Sequence, residues 1–353
     1  MPLNDHLSVS VIISCYNLER YIGPAIRSVL DQSRSATQII AVDDASTDGS
    51  AEIIASFGSL VTHVRLANNG GVLNATLAGI AVATGDIVAF LDGDDLWRPE
   101  KLERVAAEFA ADSRLVLLSH DYAIIDGNGV STGETDDTMR NTRRLMDQRL
   151  SPDEMSDAFK DSILSYRGVW LGSAFTIRRA AIDVAELERF IASVSIPCFR
   201  RLSYQDHLLA QFVIITHPDD LVGFLDVKLF DYRIFPGNTS GLSASREAAL
   251  RTLARGHVNV LGTRLLLEGF PRYHTHVRRQ ARMARTFAYM TALYTGRTLQ
   301  AIAMGIGLAL TYWHPRQTIK EVMRTGTVAL LGSDRFFAIK TRRRFKDAPP
   351  PPA

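Results

Sequence analysis

Asp92, Asp94 and Asp95 stand within four positions of one another in "AFLDGDDLW", at the end of the apolar run "DIVAFL", with nothing basic directly beside them. Carboxylates this close repel one another, and Asp and Gly are also ordinary turn residues. A D-G-D triplet closing a buried strand has a further use. Gly93 lets the backbone fold tightly, so that the acids on either side can face one cation. Oxygen donors suit Mg²⁺ or Mn²⁺, which also hold phosphate oxygens, and such an ion would relieve the repulsion. Two other polar clusters end apolar runs. In "VDDAS", Asp43 or Asp44 can accept from a base or a ribose hydroxyl. "SCYN" brings Ser14, Tyr16 and Asn17, with Tyr16 placed to lie against a base and backbone groups to meet its edge. Asn69, in "NNGG", suits either a helix-entry turn or a ligand contact. No G-x-G-x-x-G follows the first strand-like run and no G-x-x-x-x-G-K-[ST] occurs, which argues against a dinucleotide enzyme and a conventional NTP hydrolase.

The elements that must position these groups alternate regularly. Strand-like runs at 7–14, 37–44, 61–67 and 86–92 are separated by helical spacing at 21–32, 46–57 and 74–84, with Ser46 or Thr47 as a cap for the second helix. This is the rhythm of a mostly parallel sheet covered by helices, whose ligands sit beyond the carboxyl ends of the strands. "SCYN", "VDDAS" and "LDGDD" occupy those ends. From 98 to about 240 the rhythm loosens: "KLERVAAEFA" reads as a helix, "RLVLLSHDYAIID" as a strand and "STGETDDTMRNTRRL" as a mobile polar loop. "GSAFTIRRAAI" reads as a strand entering a turn, and "YQDHLLAQFVIITH" as a helix with one apolar side. Residues 241–333 are expected to form a helical region, and 334–353, basic and then proline-rich, a disordered tail.

The chain has 353 residues, 46% of them hydrophobic, enough for one large core or a core with an appendage. A formal charge of +2 gives no global field for nucleic acid. Two cysteines, Cys15 and Cys198, make no disulfide framework and fit a reducing compartment. The N-terminus lacks a signal-peptide pattern, and the apolar stretch 299–313 is shorter than the roughly 20 residues that cross a bilayer. A cytoplasmic protein, or one peripheral at the inner face of the cell membrane, is expected.

The ordered segments "VSVIISCYNLERYIGPAIRSVLDQ", "VDDASTDGS", "NNGGVLNATLAGIAVATGDIVAFLDGDD" and "YQDH" together resemble the family-2 inverting glycosyltransferases of GT-A fold, the group that includes bacterial cell-surface polysaccharide enzymes. The resemblance covers roughly 8–240. It implies an α/β catalytic domain with a Rossmann-like, mostly parallel sheet flanked by helices, followed by a C-terminal helical extension. It also implies a nucleotide-diphosphate-sugar donor, most simply a UDP-sugar, and Mn²⁺ or Mg²⁺. Asp43 and Asp44 fall where that family contacts uracil and ribose, Asp92 at its ribose-facing acid and Asp94 at its metal ligand. Asp206 matches the catalytic base. Asp92 is also a candidate for the metal, and Ser14, Tyr16, Asn17, Asn69, Gly93 and Arg233 for the nucleotide. Trp170 could stack on a sugar or pack in a core, and His120 and Asp121, after a strand, are candidates for the acceptor side.

Inverting transfer needs a base for the acceptor hydroxyl and a group that stabilises the departing diphosphate. Asp206 suits the first, and it also suits the start of a helix. The chain departs from the family where many members carry Arg-Asn, here Thr76 and Leu77, and where many carry Tyr-Arg-x-His, here ending at Phe235. Two other classes remain open: a sugar nucleotidyltransferase or pyrophosphorylase, and a non-catalytic nucleotide-sugar-binding or scaffold protein. The first lacks a clear Gly-rich basic loop after the first strand. The helical region fits a packed subdomain, a basic surface resting on anionic lipid, or a contact between copies of the chain.

Overall fold

The computed structural model describes residues 7–134, 145, 147–164, 171–235, 246–312 and 315–344. They divide into two compact units, 1–235 with 265–270, and 236–264 with 271–353.

The first unit opens with β1 (Val9–Cys15), α1 (Ile22–Leu30), β2 (Gln38–Asp43), α2 (Ser50–Ala55), β3 (Thr62–Arg65), α3 (Val72–Val82) and β4 (Ile87–Asp92). β1 is buried almost throughout, as a β-branched run between two parallel neighbours must be. Its partners are β2 and β4, and β3 extends the sheet beyond β2, all in parallel. The register sets Ser14 beside Asp92 and Cys15 beside Asp43, so the polar groups reach one edge together.

The second half supplies β5 (Leu96–Trp97), α4 (Lys101–Ala111), β6 (Leu115–Asp126), β7 (Arg149–Leu150), α5 (Asp157–Ile163), β8 (Thr176–Arg178), α6 (Val184–Ser193), α7 (Phe199–Leu202), α8 (Gln205–Thr216) and β9 (Leu221–Ile234). The sheet order is β3-β2-β1-β4-β8-β6-β9-β5, with β7 also on β9. β8 runs antiparallel to both β4 and β6, whereas β6 and β9 are parallel. The sheet is therefore parallel in its first half and mixed in its second, in the GT-A manner.

Two expected elements differ. α2 begins at Ser50, not at Ser46 or Thr47, because those residues bond instead to the loop after β1, while Asp48 receives the Ser50 N–H at 3.0 Å. α8 has no polar side: every residue but Thr216 is buried. The polar segment 131–145 falls largely outside the described residues, so the expected loop there is not described.

The second unit contains most of α9 (Arg246–Glu268), then α10 (His274–Tyr294), α11 (Thr298–Thr311) and α12 (Pro315–Arg344). Tyr289, Leu293, Ala301, Leu308, Val328 and Phe336 form its core. The buried Tyr289 hydroxyl donates to the Glu321 carbonyl at 2.7 Å, which ties α10 to α12. α12 breaks at Gly332, where φ is 79°, and continues to Arg344. The segment expected to be disordered from 334 is thus helical over its first eleven residues. No helix among the described residues is long and apolar enough to cross a membrane.

Candidate active site

The acidic turn at the end of β4 is built from behind. Gly93 N–H donates to the Ser14 carbonyl at 2.9 Å, and a Cβ at Gly93 would lie 2.7 Å from that oxygen, so only glycine lets the turn press onto β1. Asp95 points inward: its buried carboxylate accepts from Ser173 Oγ at 2.6 Å and from the Arg233 N–H at 2.8 Å. Ser173 Oγ also receives the Asp92 N–H at 3.0 Å. The Ser173 carbonyl accepts from Trp97 Nε1 at 3.2 Å and from the ammonium of Lys101, which is completely buried and lies 3.9 Å from the centre of the Trp97 ring. Burial pushes Lys101 well below its ordinary pKa, and Asp95 opposes that shift. Asp95 is therefore the anchor of the turn, which leaves Asp92 and Asp94 for chemistry.

Asp92 Oδ1 accepts from Gln205 Nε2 at 3.0 Å and lies 3.3 Å from Ser14 Oγ, so β1, β4 and the start of α8 meet on one carboxylate. Asp94 is half-buried beside it. Burial and then the Asp92 charge push its carboxyl up to about 7, the response of an acid held close to another acid. Arg233 is almost wholly buried and donates to backbone carbonyls, from Nε to Asp94 at 2.7 Å and from Nη1 to Asp126 at 3.2 Å. The structure thus places it as a clasp of the turn, where the sequence offered it as a nucleotide contact. Phe235, at the position where the family pattern has His, packs on Tyr21 with ring centres 4.6 Å apart.

At the ends of β1 and β2, Asn17 adopts φ of 52° and knots the two loops. Its N–H donates to Ser46 Oγ at 3.0 Å and its side-chain oxygen receives the Thr47 N–H at 2.8 Å. Tyr16 beside it is exposed. Asp43 is completely buried, accepting the Ser46 N–H at 2.8 Å and lying 3.3 Å from Arg65 Nε. Asp44 receives the N–H groups of Gly70 at 2.9 Å and Gly71 at 2.8 Å, which holds the Asn69 turn against β2. Burial raises the Asp44 carboxyl above its ordinary range, and the two backbone donors counter this. Thr76 and Leu77 are buried in α3. Burial pushes the Cys15 thiol up to about 12, so it packs and does not act as a nucleophile.

Asp206 stands in the first turn of α8, buried, with its own oxygen receiving the His207 N–H at 2.9 Å. Burial, and after it the Asp92 charge, push its carboxyl up to about 8. A carboxylate that takes up a proton this readily is matched to work as a base near neutral pH. The acceptor-side candidates fare differently. β6 continues to Asp126, so His120 lies inside the strand and is buried edge-on against Phe230 at 5.8 Å. Its Nδ1 is 2.9 Å from the Asp121 carbonyl, its Nε2 has no hydrogen-bond partner, and burial lowers its pKa strongly. It is a core residue, not an acceptor contact. Asp121 is half-buried on the same strand, and Trp170 lies outside the described residues.

Sequence reading missed Gln205, Ser173, Lys101 and Gly172. The "GSAF" run was legible as a strand entry, but nothing local marks its glycine. A Cβ at Gly172 would fall 2.5 Å from both Asp92 Oδ2 and Gln205 Nε2. Both are side-chain ends that can swing away, so Gly172→Ala is expected to spare the melting temperature while misplacing the Asp92 carboxylate. Transfer should fall on the order of 10²-fold, the cost of a near-1 Å displacement at a positioning group. Thermal denaturation and a donor-turnover assay on the same preparation check the split.

Residues 10–165 match the model for "Glycosyl transferase family 2". An uncharacterized glycosyltransferase of Nostoc sp. is 44% identical over 128 residues, covering 35% of this chain and 38% of that protein. The putative teichuronic acid biosynthesis glycosyltransferase TuaG of Bacillus subtilis is 36% identical over 124 residues, 34% of this chain and 49% of its own length. The chain thus spans half or less of the curated relatives it matches. The crystal structure of S. aureus TarS 1-349 in complex with UDP-GlcNAc aligns over 96% of this chain and 92% of that one, with a TM-score of 0.52 and 17% identity, a likeness of fold. By sequence, the segment 10–165 is thus similar to glycosyl transferase family 2, and by fold the chain is similar to TarS.

Proposed function

We propose that the chain is an inverting glycosyltransferase that moves a sugar from a nucleotide diphosphate, a UDP-sugar first of all, to a hydroxyl of a glycan or lipid-linked saccharide. The observation that carries this reading is the meeting of Ser14, Asp92 and Gln205 on one sheet edge, with Asp206 as the residue next to Gln205. The names of relatives support the donor and acceptor classes: WfgD of Escherichia coli, 30% identical over 131 residues, is a UDP-Glc:alpha-D-GlcNAc-diphosphoundecaprenol beta-1,3-glucosyltransferase. A donor- and acceptor-binding unit over 8–240, followed by the helical region, is the domain division that accords with it.

Asp206 takes the acceptor hydroxyl's proton as that oxygen forms its bond to the anomeric carbon. The bond to the diphosphate oxygen breaks on the opposite face and keeps its electron pair, which inverts the centre. Asp43, Asp44 and Asn17 shape the loops that receive the base and ribose, and Tyr16 offers an exposed ring to the base. Asp92 and Asp94 suit Mg²⁺ or Mn²⁺: burial first, and then the Asp92 charge, raise the Asp94 carboxyl, and a cation would offset both. Among the described residues no three His, Cys, Asp or Glu side chains form a metal cage. An ion at Asp92 and Asp94 would instead be held by one or two carboxylates and the substrate's own phosphates. When bound, it would neutralise charge developing on the leaving diphosphate.

A panel of nucleotide sugars, incubated with Mn²⁺ or Mg²⁺ and with or without acceptor, tests the reading by nucleotide-diphosphate release. Release from one donor, raised by a hydroxyl acceptor, is expected. No binding and no release from any donor with either metal would sink it.

A further inference from the structure

The net charge of +2 conceals a segregation. Residues 269–346 carry fifteen Lys and Arg against two acids, Glu321 and Asp334, a formal +13. The rest of the chain carries 25 Lys and Arg against 36 acids, a formal −11. From 269 to 320 there is no acid at all. Glu321 is buried, so it does little to soften the outer surface.

Within this basic unit two helices expose apolar stripes. On α11, Ala301 and Leu308 face the unit's core, whereas Leu299, Ile302, Ile306 and Leu310 point outward at spacings of three and four. Leu299 is 84% exposed and Leu310 82%. α12 repeats the arrangement, with Val328 inward and Ile319, Val322, Met323 and Leu330 outward. Neither helix is a candidate membrane span. We propose that the second unit docks peripherally on an anionic lipid surface, with α11 lying in the interface. Its outer stripe enters the acyl boundary while arginines and lysines of the unit, among them Arg285 at the Thr311 end of α11, meet the headgroups.

Charge decides between occupants. A second copy laid stripe to stripe would set +13 against +13. Nucleic acid would answer the charge and leave the aliphatic stripe in water. An anionic bilayer satisfies both, because each basic side chain near such a surface strengthens binding by about fivefold. This placement goes beyond the transfer reading and does not depend on it.

The test uses the full chain, without donor, in sedimentation with vesicles of pure phosphatidylcholine or of phosphatidylcholine containing phosphatidylglycerol. Binding to the anionic vesicles is expected to be at least about tenfold stronger, and to fall as salt shortens the reach of the charges. Ile306→Gln with Leu310→Gln, both outward-facing and so compatible with folding, should lower it by about tenfold again. Equal binding to both vesicles, or anionic binding unchanged by the double substitution, would overturn the proposal. So would two other results: tight binding to a 40-nucleotide RNA with no vesicle binding, or a dimer in analytical ultracentrifugation that the double substitution dissociates without altering vesicle association.

Discussion

Asp206→Asn is expected to lower transfer by about 10²- to 10⁴-fold, the range a positioned base contributes, while donor binding changes little. The amide keeps the shape and the bond from His207 N–H but cannot take a proton. The pH profile supplies a second signature. With its carboxyl pushed up to about 8 by burial and Asp92, Asp206 is mostly protonated at pH 7 in the ligand-free protein. A base must be ionised, so kcat/KM should climb about tenfold per pH unit below 8 and flatten above it. In Asp206→Asn that limb should vanish from whatever activity remains. Full transfer by this variant in a validated acceptor assay would remove Asp206 from the role.

Asp94→Asn separates stability from activity. The Asp94 carboxyl is raised to about 7 in the folded protein by burial and by Asp92. An acid so raised contributes stability at low pH, and that contribution disappears as pH rises through 7, because the unfolded chain ionises without the penalty. At pH 8 without divalent cation, the neutral amide should therefore stabilise the protein, on the order of 1–2 kcal/mol after discounting for Asp94's partial exposure. Transfer with Mg²⁺ or Mn²⁺ should nevertheless fall about 10²- to 10³-fold, the scale of losing one preorganised electrostatic contact to the leaving group. Thermal denaturation with and without cation, beside donor turnover, reads both. A variant less stable at pH 8 and fully active would show Asp94 to be an ordinary turn acid.

The first half of the sheet was legible because each of β1 to β4 is a short β-branched or apolar run and each intervening helix keeps its period. The gathering of acids at the ends of β2 and β4 was legible for a related reason: such a sheet brings its strand ends to one edge. The remainder depended on distance. Lys101 reads as the first residue of an amphipathic helix until Ser173, 72 positions later, gives its ammonium an acceptor. Ser173 and Gln205 have no local signature, since their roles exist only through Asp92 and Asp95. His120 lay within the strand-like run 114–126, but the pattern could not show that its ring faces Phe230 and is buried there. Ser46 and Thr47 looked like helix caps because the pattern could not show that Asn17, nearly thirty residues earlier, needed them.

The buried clasp on Asp95 bears on how the protein matures during synthesis. Its partners are Ser173, 78 residues downstream, and the Arg233 amide, 138 residues downstream. A nascent chain that has emerged only as far as 165 holds every acid of the β4 turn and neither of the two groups that hold Asp95. Such distant pairings form late, after loop closure has been overcome. The parallel pairing of β1 to β4 can form before Ser173 exists, but the Asp95 clasp closes only once β9 has joined.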